Sequence, residues 1–176
     1  MALANERFTQ FSILFLRHGE TSWNRSGLTM GQADIDLSVV GWSQAQTAAR
    51  LLLQYRIGQI TCSPLVRCLS TIQPYREKHA CDFKLDALWA GRAWGIYEGR
   101  PKAQRIDETS PPGGETYNQF SDRVSRAVAS LDQTKTGLIV SHSGVFRQLC
   151  KMGFVPERIV GSPPHATPIV LRTLSD

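Results

Sequence analysis

Cysteine is scarce in this sequence, and a long hydrophobic run is absent. The four cysteines, Cys62, Cys68, Cys81 and Cys150, are scattered and include no CxxC pair. This pattern predicts reduced thiols in a cytosol rather than a disulfide framework. The apolar piece at residues 11–16 is too short for a signal sequence with its flanks and far too short to cross a bilayer. We therefore expect a cytoplasmic protein with no membrane partner.

Runs of basic residues are absent too, although the chain is basic overall. It has 20 Lys and Arg against 15 Asp and Glu, which gives a formal net charge of +5. Such a balance favours anionic partners, but the basic residues are spread out and match no nucleic-acid motif. We expect no nucleic-acid partner. Small phosphates, such as a phosphorylated metabolite or inorganic phosphate, are among the anionic partners that this charge favours, and a homodimer stays open.

The 176 residues contain no internal repeat, low-complexity tract or linker, which predicts one domain over residues 1–176. Apolar periodicity predicts strands that alternate with helices, and hence a three-layer α/β/α sandwich with a mostly parallel central sheet. Strands are expected at 12–16, 57–62, 81–85, 137–140 and 168–174. Helices are expected at 38–55, from an N-cap at Ser63 with Pro64 in the first turn, at 115–131 and at 145–152. Residues 89–114, rich in Gly, Pro and Arg, look like a long irregular excursion.

Two of the expected strands run directly into a histidine followed by a glycine-containing turn. His18 follows the first strand, and His142 follows the strand at 137–140. Because ligands gather beyond the carboxyl ends of strands in open α/β sheets, we expect the two histidines to converge. Arg17 precedes His18, and Arg67 lies near the start of a predicted helix, where free N–H groups and the helix dipole favour an anion. Guanidinium groups match phosphate oxygens in a bidentate way.

The order of these motifs resembles that of the histidine phosphatase superfamily, the phosphoglycerate-mutase-like group. The segments that carry the resemblance are LRHGET at 16–21, DLS at 36–38, SPLVR at 63–67, PGGET at 112–116 and SHSG at 141–144. The resemblance covers roughly residues 12 to 150. RHG alone would be a weak signal, whereas the ordered set is specific.

The resemblance implies a phosphatase that hydrolyses phosphate monoesters of a small metabolite through a phosphohistidine on His18. Arg17, Arg67 and His142 would stabilise charge on the phosphoryl oxygens. Further polar contacts to the substrate are expected from Thr21, Asn24, Gln32 and Ser143. No metal or other cofactor is expected, because the four histidines have no metal-ligand spacing.

The general acid that the resemblance implies is missing. The family pattern L-x-E-x-x-x-G-x-x-E-G corresponds here to WAGRAWGIYEG at 89–99, which puts Gly91 where the glutamate is expected. Three explanations remain open. Another carboxylate, Glu98 or Glu115 among others, could replace it; the substrate could have a good leaving group; or the chain could be a weak or inactive relative that binds phosphorylated ligands. A mutase-type phosphotransferase is a further alternative, which the short chain disfavours.

Overall fold

The computed structural model describes residues 12–106, 109–132, 134–158 and 161–173. The strands are β1 (Ser12–Arg17), β2 (Gln59–Cys62), β3 (Asp82–Leu85), β4 (Gly137–Ser141), β5 (Phe154–Pro156) and β6 (Pro168–Thr173). The helices are α1 (Ser22–Arg25), α2 (Val39–Leu52), α3 (Val66–Arg76), α4 (Tyr117–Ala129) and α5 (Ser143–Lys151). Three short 3-10 turns lie at Ala87–Trp89, Gly95–Tyr97 and Lys102–Gln104.

The six strands form one sheet in the order β3-β2-β4-β1-β6-β5. Strands β3, β2, β4 and β1 pair in parallel, whereas β6 is antiparallel to both β1 and β5. Residues 13–16 of β1 and 138–140 of β4 are apolar and buried, as expected for parallel strands that are covered on both faces. All five residues of β4 are buried.

Helices cover both faces of the sheet, and each face has its own apolar cluster. Leu14 and Leu16 of β1 point to the face on which the apolar sides of α2 and α3 pack. Ile13 and Phe15 point to the opposite face, where α4 and α5 pack. This alternation follows from the two-residue period of a strand. The prediction of a three-layer sandwich with a mostly parallel sheet is confirmed.

Most predicted elements form, but the start of α3 differs from the prediction. The helix begins at Val66, with Leu65 rather than Ser63 as its N-cap. The Ser63 hydroxyl lies 2.9 Å from Nε2 of His142 and accepts from the N–H of Leu65 at 3.4 Å, just before the helix. The N–H of Val66 donates to the Asp34 carboxylate at 2.7 Å. The first N–H of this helix therefore binds an anionic group of the protein itself.

Other boundaries shift by a few residues for local reasons. Helix α4 starts at Tyr117 rather than Glu115, because Thr116 caps it in a reciprocal capping box with Gln119. Helix α5 starts at Ser143, directly after His142. Gly153 follows α5 with φ of 95°, a left-handed conformation that glycine adopts without strain at the end of a helix. The short elements α1 and β5 were not predicted, and position 174 of the predicted last strand lies outside the described residues.

The predicted excursion after residue 89 is irregular apart from its 3-10 turns, and it folds back over the carboxyl edge of the sheet. Trp89 at its start is fully buried in the cluster under α4 and α5. Further on, Thr29 exchanges backbone hydrogen bonds with the excursion, donating to the carbonyl of Arg100 and accepting from the N–H of Gly99, both at 2.8 Å. The excursion therefore forms one wall of the space beyond the strand ends. Among the described helices, none combines the length and hydropathy needed to cross a bilayer.

Phe146 of α5 allows a test of the core. Its side chain is 2% exposed, and its ring lies 5.3 Å from that of Phe15 in β1. We expect Phe146→Ala to lower the free energy of unfolding by about 3–5 kcal/mol, because it removes apolar contacts and leaves a cavity. Urea denaturation measures the change.

The matched control is Val39→Ala at the start of α2, where the side chain is 89% exposed. Its effect should stay within about 0.5 kcal/mol. Equal effects of the two substitutions would contradict the assignment of Phe146 to the core.

Candidate active site

Three neighbouring parallel strands deliver three polar residues to the same edge of the sheet. Strand β1 leads into His18, β4 into His142 and β2 into Ser63. The N–H of His18 donates to the carbonyl of Ser141, and the N–H of Ser63 donates to that of Val140, both at 3.0 Å. The rings of His18 and His142 lie 5.2 Å apart between centroids. The predicted convergence of the two histidines is thus present in the structure.

The hydrogen bonding of His18 fixes which ring nitrogen carries the proton. Nδ1 lies 2.7 Å from the carbonyl oxygen of Gly19. A carbonyl can only accept, so Nδ1 donates and Nε2 is left with a lone pair. An unprotonated Nε2 is the form of imidazole that can attack an electrophile.

Burial keeps His18 neutral. The residue is 4% exposed. Burial lowers the pKa of His18 well below its usual range, and the positive charges of Arg67 and Arg17 lower it further, against the opposing bond to Gly19. The imidazole therefore stays uncharged at neutral pH although cations surround it.

His142 is also buried, with Ser63 and Cys68 around it. Burial and the charge of Arg67 lower the pKa of His142 well below its usual range, so this ring is neutral as well. The Cys68 sulfur lies 3.6 Å from Nε2 of His142 and donates to the carbonyl of Ser141. Burial raises the pKa of the Cys68 thiol to about 12, which keeps it protonated and unreactive.

Arg17 and Arg67 bring two guanidinium groups to the histidines. Arg67 is 1% exposed and donates to the carbonyls of Gly31 and Ala33, both at 2.7 Å. Arg17 donates to the carbonyl of Pro163 at 2.8 Å. Each has a buried Nε without a partner among the described residues. Buried donors of this kind are normally satisfied, so an anion oxygen suits this place.

A pocket of about 680 Å³ opens beyond these residues. The predicted residues that line it are Arg17, His18, Asn24, Arg67, His142 and Ser143. Ser143 and Gly144 begin α5, whose N-cap, His142, makes no side-chain capping bond. The first N–H groups of α5 and its positive dipole end therefore face the pocket.

Two predicted contact residues, Thr21 and Gln32, lie behind the pocket rather than in its wall. Thr21 is fully buried and caps α1 in a reciprocal capping box with Asn24, which does line the pocket. Gln32 donates from its side chain to the carbonyl of Gly91 at 3.1 Å. Both hold neighbouring segments in place.

Gly91 does stand at the centre of the site. A Cβ on it would lie 3.5 Å from the His142 ring and 3.6 Å from the Arg67 guanidinium. It would also lie only 2.9 Å from the carbonyl oxygen of Gly31, so any side chain here requires a backbone shift. A carboxyl group on residue 91 would point at the reacting groups, but glycine supplies none.

The two carboxylates suggested as substitutes are bound elsewhere. Glu98 accepts from the backbone N–H groups of Gln32 and Trp94, both at 2.9 Å. It also packs against Gly31, whose φ of 57° and missing side chain leave room for it. Neither Glu98 nor Glu115 is among the residues that line the pocket.

Glu115 forms a bidentate ion pair with Arg123, with two N–O distances of 2.7 Å. Arg123 in turn donates to the carbonyls of Leu88, Ala90 and Gly91. The Arg123 bond lowers the pKa of Glu115 against the opposing effect of its burial. This carboxylate is therefore ionised at neutral pH and holds the segment at 88–91.

Sequence reasoning missed His165, which contacts His18, and several residues that line the pocket. His165 donates from Nδ1 to the carbonyl of His18 at 2.9 Å, and its ring lies 5.7 Å from that of His18. No motif marks it. The lining residues that were not predicted include Thr29, Arg92, Trp94, Lys102, Arg105, Tyr117, Arg147 and Lys151. Among these residues, only Arg147 and Lys151 could have been found from the sequence. They follow Ser143 by four and eight residues, so all three lie on the same helix face.

Comparison with known proteins decides the family. The family model described as histidine phosphatase superfamily (branch 1) matches residues 13–159. The chain belongs to this superfamily. The resemblance inferred from the motifs is thereby confirmed.

Relatives within the superfamily have different names. Fructose-2,6-bisphosphatase TIGAR B of Danio rerio is 34% identical over 138 residues, which cover 70% of this chain and 54% of that protein. The chain thus spans about half the length of that relative. A probable phosphoglycerate mutase, GpmB of Salmonella choleraesuis, is 29% identical over 171 residues, covering 88% of this chain and 77% of its own. The structure of a putative alpha-ribazole-5'-P phosphatase from Escherichia coli superposes with a TM-score of 0.74 at 26% identity, covering 87% and 81% of the two chains. As named, these three relatives are two phosphatases and one mutase.

The lowered pKa values of His18 and His142 predict how stability depends on pH. Both imidazoles are neutral when folded, whereas an unfolded histidine has a pKa of about 6.5. Below that pH the unfolded chain binds more protons. The free energy of unfolding should therefore fall between about pH 7.5 and about pH 5.5, by about 1 kcal/mol for each histidine.

Urea denaturation of the wild type and of the double variant His18→Gln, His142→Gln measures this contribution. The double variant should lose less stability across the interval. Above about pH 7.5 the two proteins should change in parallel, because neither state binds a proton on these histidines there. An equal loss of stability on acidification in both proteins would show that the two rings titrate normally.

Proposed function

We propose that this chain is a phosphatase that transfers the phosphoryl group of a small phosphorylated metabolite to Nε2 of His18 and then to water. The observation that carries the proposal is the state of His18. Its Nδ1 donates to the Gly19 carbonyl, so Nε2 has a free lone pair within a strongly cationic pocket. Neutral imidazole beside positive charge suits attack on an anionic electrophile.

The reaction has two steps. First, the bond between Nε2 of His18 and phosphorus forms while the bond to the leaving oxygen breaks. Water then attacks the phosphohistidine, the bond to Nε2 breaks, and inorganic phosphate leaves. Arg17 and Arg67 suit the non-bridging oxygens, because both line the pocket and each has a buried Nε that finds no partner among the described residues.

Three further groups without formal charge would stabilise the negative charge of the phosphoryl group. A neutral His142 can donate one hydrogen bond to a phosphoryl oxygen, and the first N–H groups of α5 at Ser143 point the same way. Asn24 lines the pocket and is held by Thr21, so it is oriented before the substrate arrives. Such preorganised donors lower the energy of the charged transition state.

A second candidate function is binding of phosphorylated ligands with little turnover. It is favoured by the absence of any Asp or Glu among the described residues that line the pocket. A mutase is a third candidate, in which the phosphoryl group on His18 is transferred to a substrate hydroxyl rather than to water. Release of inorganic phosphate distinguishes a phosphatase from both.

A cytoplasmic location remains a prediction. It is supported by Cys62, Cys68, Cys81 and Cys150, which are all free thiols. A homodimer also remains a prediction.

His18→Asn tests the nucleophile. We expect kcat/KM for 4-nitrophenyl phosphate to fall roughly 10³-fold or more, because asparagine keeps polarity but cannot form the covalent intermediate. Rapid quenching followed by phosphopeptide mass spectrometry should find acid-labile phosphate on the peptide that contains His18 in the wild type only.

The matched control is His79→Asn. His79 stacks on Tyr75 after α3 and is not among the lining residues of the pocket. This variant should keep its activity. Unchanged phosphate release in the His18→Asn variant, or covalent phosphate on another residue, would contradict the proposal.

A series at Gly91 tests the missing acid. We expect Gly91→Glu to raise kcat/KM for methyl phosphate by about 10²-fold or more, because a general acid contributes about 10²–10⁴-fold when the leaving group is an alkoxide. Initial rates of inorganic phosphate release measure the change.

Gly91→Gln and Gly91→Ala are the controls, since all three substitutions place a Cβ against the Gly31 carbonyl. Neither control should show the gain. If Gly91→Glu behaves like Gly91→Gln, another group already supplies the proton.

A further inference from the structure

No Asp or Glu is among the described residues that line the pocket, so no carboxyl group there supplies a proton to a leaving group. Glu98 and Glu115 are bound to backbone N–H groups and to Arg123, outside the pocket wall. His18 and His142 are neutral because they are buried among arginines. A strongly basic alkoxide that departs without a proton is a poor leaving group. A phosphate group needs no such help, since its second pKa is about 6 in phosphorylated side chains.

The pocket instead offers positive charge. Seven of its described lining residues carry a Lys or Arg side chain, namely Arg17, Arg67, Arg92, Lys102, Arg105, Arg147 and Lys151. Arg92 and Arg105 also donate to backbone carbonyls. Lys102, Arg147 and Lys151 add positive charge to that of Arg17 and Arg67.

Helix α5 arranges part of this charge in a row. Ser143, Arg147 and Lys151 are spaced by four residues, so they lie on one helix face at steps of about 6 Å. Lys151 is oriented by Tyr117, whose hydroxyl accepts its proton at 3.0 Å and donates to Gln148 at 2.9 Å. The row leads from the N-terminus of α5 beside His142 outward along the pocket.

Lys102 faces this row from the excursion. Partial burial and the charges of Arg17, Arg105 and Arg147 all lower the pKa of Lys102, which indicates that these cations lie close together. The charge of Arg147 likewise adds to the effect of burial that lowers the pKa of Arg17 to about 10. Over the described residues, neither Lys102 nor Arg147 has an acidic side chain as partner. Lys102 and Arg147, which lie close to each other and to Arg17, therefore favour binding of a multiply charged anion.

We propose that Lys102, Arg147 and Lys151 bind an anionic phosphate leaving group, and that the substrates are phosphoanhydrides whose terminal phosphoryl group is transferred to His18. This inference rests on the proposed function, because it requires His18 to be the nucleophile. It replaces alkyl phosphate monoesters by di- or triphosphates as the substrate class.

The transfer balances without an acid. The bond from Nε2 of His18 to the terminal phosphorus forms as the bridging P–O bond breaks. The bridging oxygen keeps the electron pair and leaves on the shortened phosphate as an oxyanion, next to the three cations. Water then cleaves the phosphohistidine, giving inorganic phosphate and releasing one proton to solvent.

Three small substrates separate the requirements. Methyl phosphate has a strongly basic leaving group. 4-Nitrophenyl phosphate has a good leaving group, 4-nitrophenolate, which carries a single negative charge. Inorganic pyrophosphate has a good leaving group, phosphate, which is multiply charged. We expect kcat/KM of the wild type for pyrophosphate to exceed that for methyl phosphate by at least about 100-fold, because only the methoxide leaving group needs a general acid.

Charge recognition is tested by the ratio of kcat/KM for pyrophosphate to that for 4-nitrophenyl phosphate. Arg147→Gln combined with Lys151→Gln should lower this ratio at least about tenfold, and Arg147→Lys should preserve most of it. The control Arg126→Gln removes an exposed arginine of α4 outside the pocket lining and should leave the ratio unchanged.

The outcomes are distinct. If 4-nitrophenyl phosphate is hydrolysed through His18 but methyl phosphate is used within tenfold of pyrophosphate, the inference is wrong and the proposed function stands. The same holds if the paired variant leaves the ratio unchanged. If no substrate gives phosphate on His18, the proposed function is wrong, and this inference is wrong as well because it requires His18 as the nucleophile.

Discussion

The parallel pairing of β1 with β4 is the constraint on which the site depends. Arg17 is paired with Ser141, and the ladder continues by one bond from the N–H of His18 to the Ser141 carbonyl. The two histidines therefore leave the sheet at the same level. Side chains of β1 are buried on alternate faces, so a slip by one residue would expose Leu14 and Phe15 to the wrong helices. The packing of the core thus fixes the spacing of the imidazoles.

Buried guanidinium groups hold the loops above that sheet edge. Arg67 binds the carbonyls of Gly31 and Ala33, and Arg123 binds those of Leu88, Ala90 and Gly91. An arginine offers five donors in a rigid fork, so one side chain can satisfy several carbonyls of an irregular segment. Removal of either guanidinium would leave buried carbonyls without partners, which is costly. These two side chains therefore hold the segments at 31–33 and 88–91 in place.

The sequence predicted what depends on local pattern and missed what depends on distant contacts. Apolar strands that end in His18 and His142 predict both the sheet and the meeting of the two rings, because parallel strands share a carboxyl edge. Ser63 had every local feature of an N-cap, but it contacts a histidine 79 residues away and α3 starts later. Lys102 belongs to the pocket only because the excursion folds back over the sheet, which no local periodicity encodes.

The close approach of Gly91 to Gly31 has a consequence for how this active site could change over evolution. The Gly31 carbonyl that a new side chain at residue 91 would push away is the one that holds Arg67 at 2.7 Å. A mutation that installs a proton donor would therefore disturb an anion-binding arginine in the same step. Proton donation at residue 91 and anion binding by Arg67 are therefore mechanically linked. Changes in the 29–33 segment that relieve this crowding would add to the gain from an acid at residue 91.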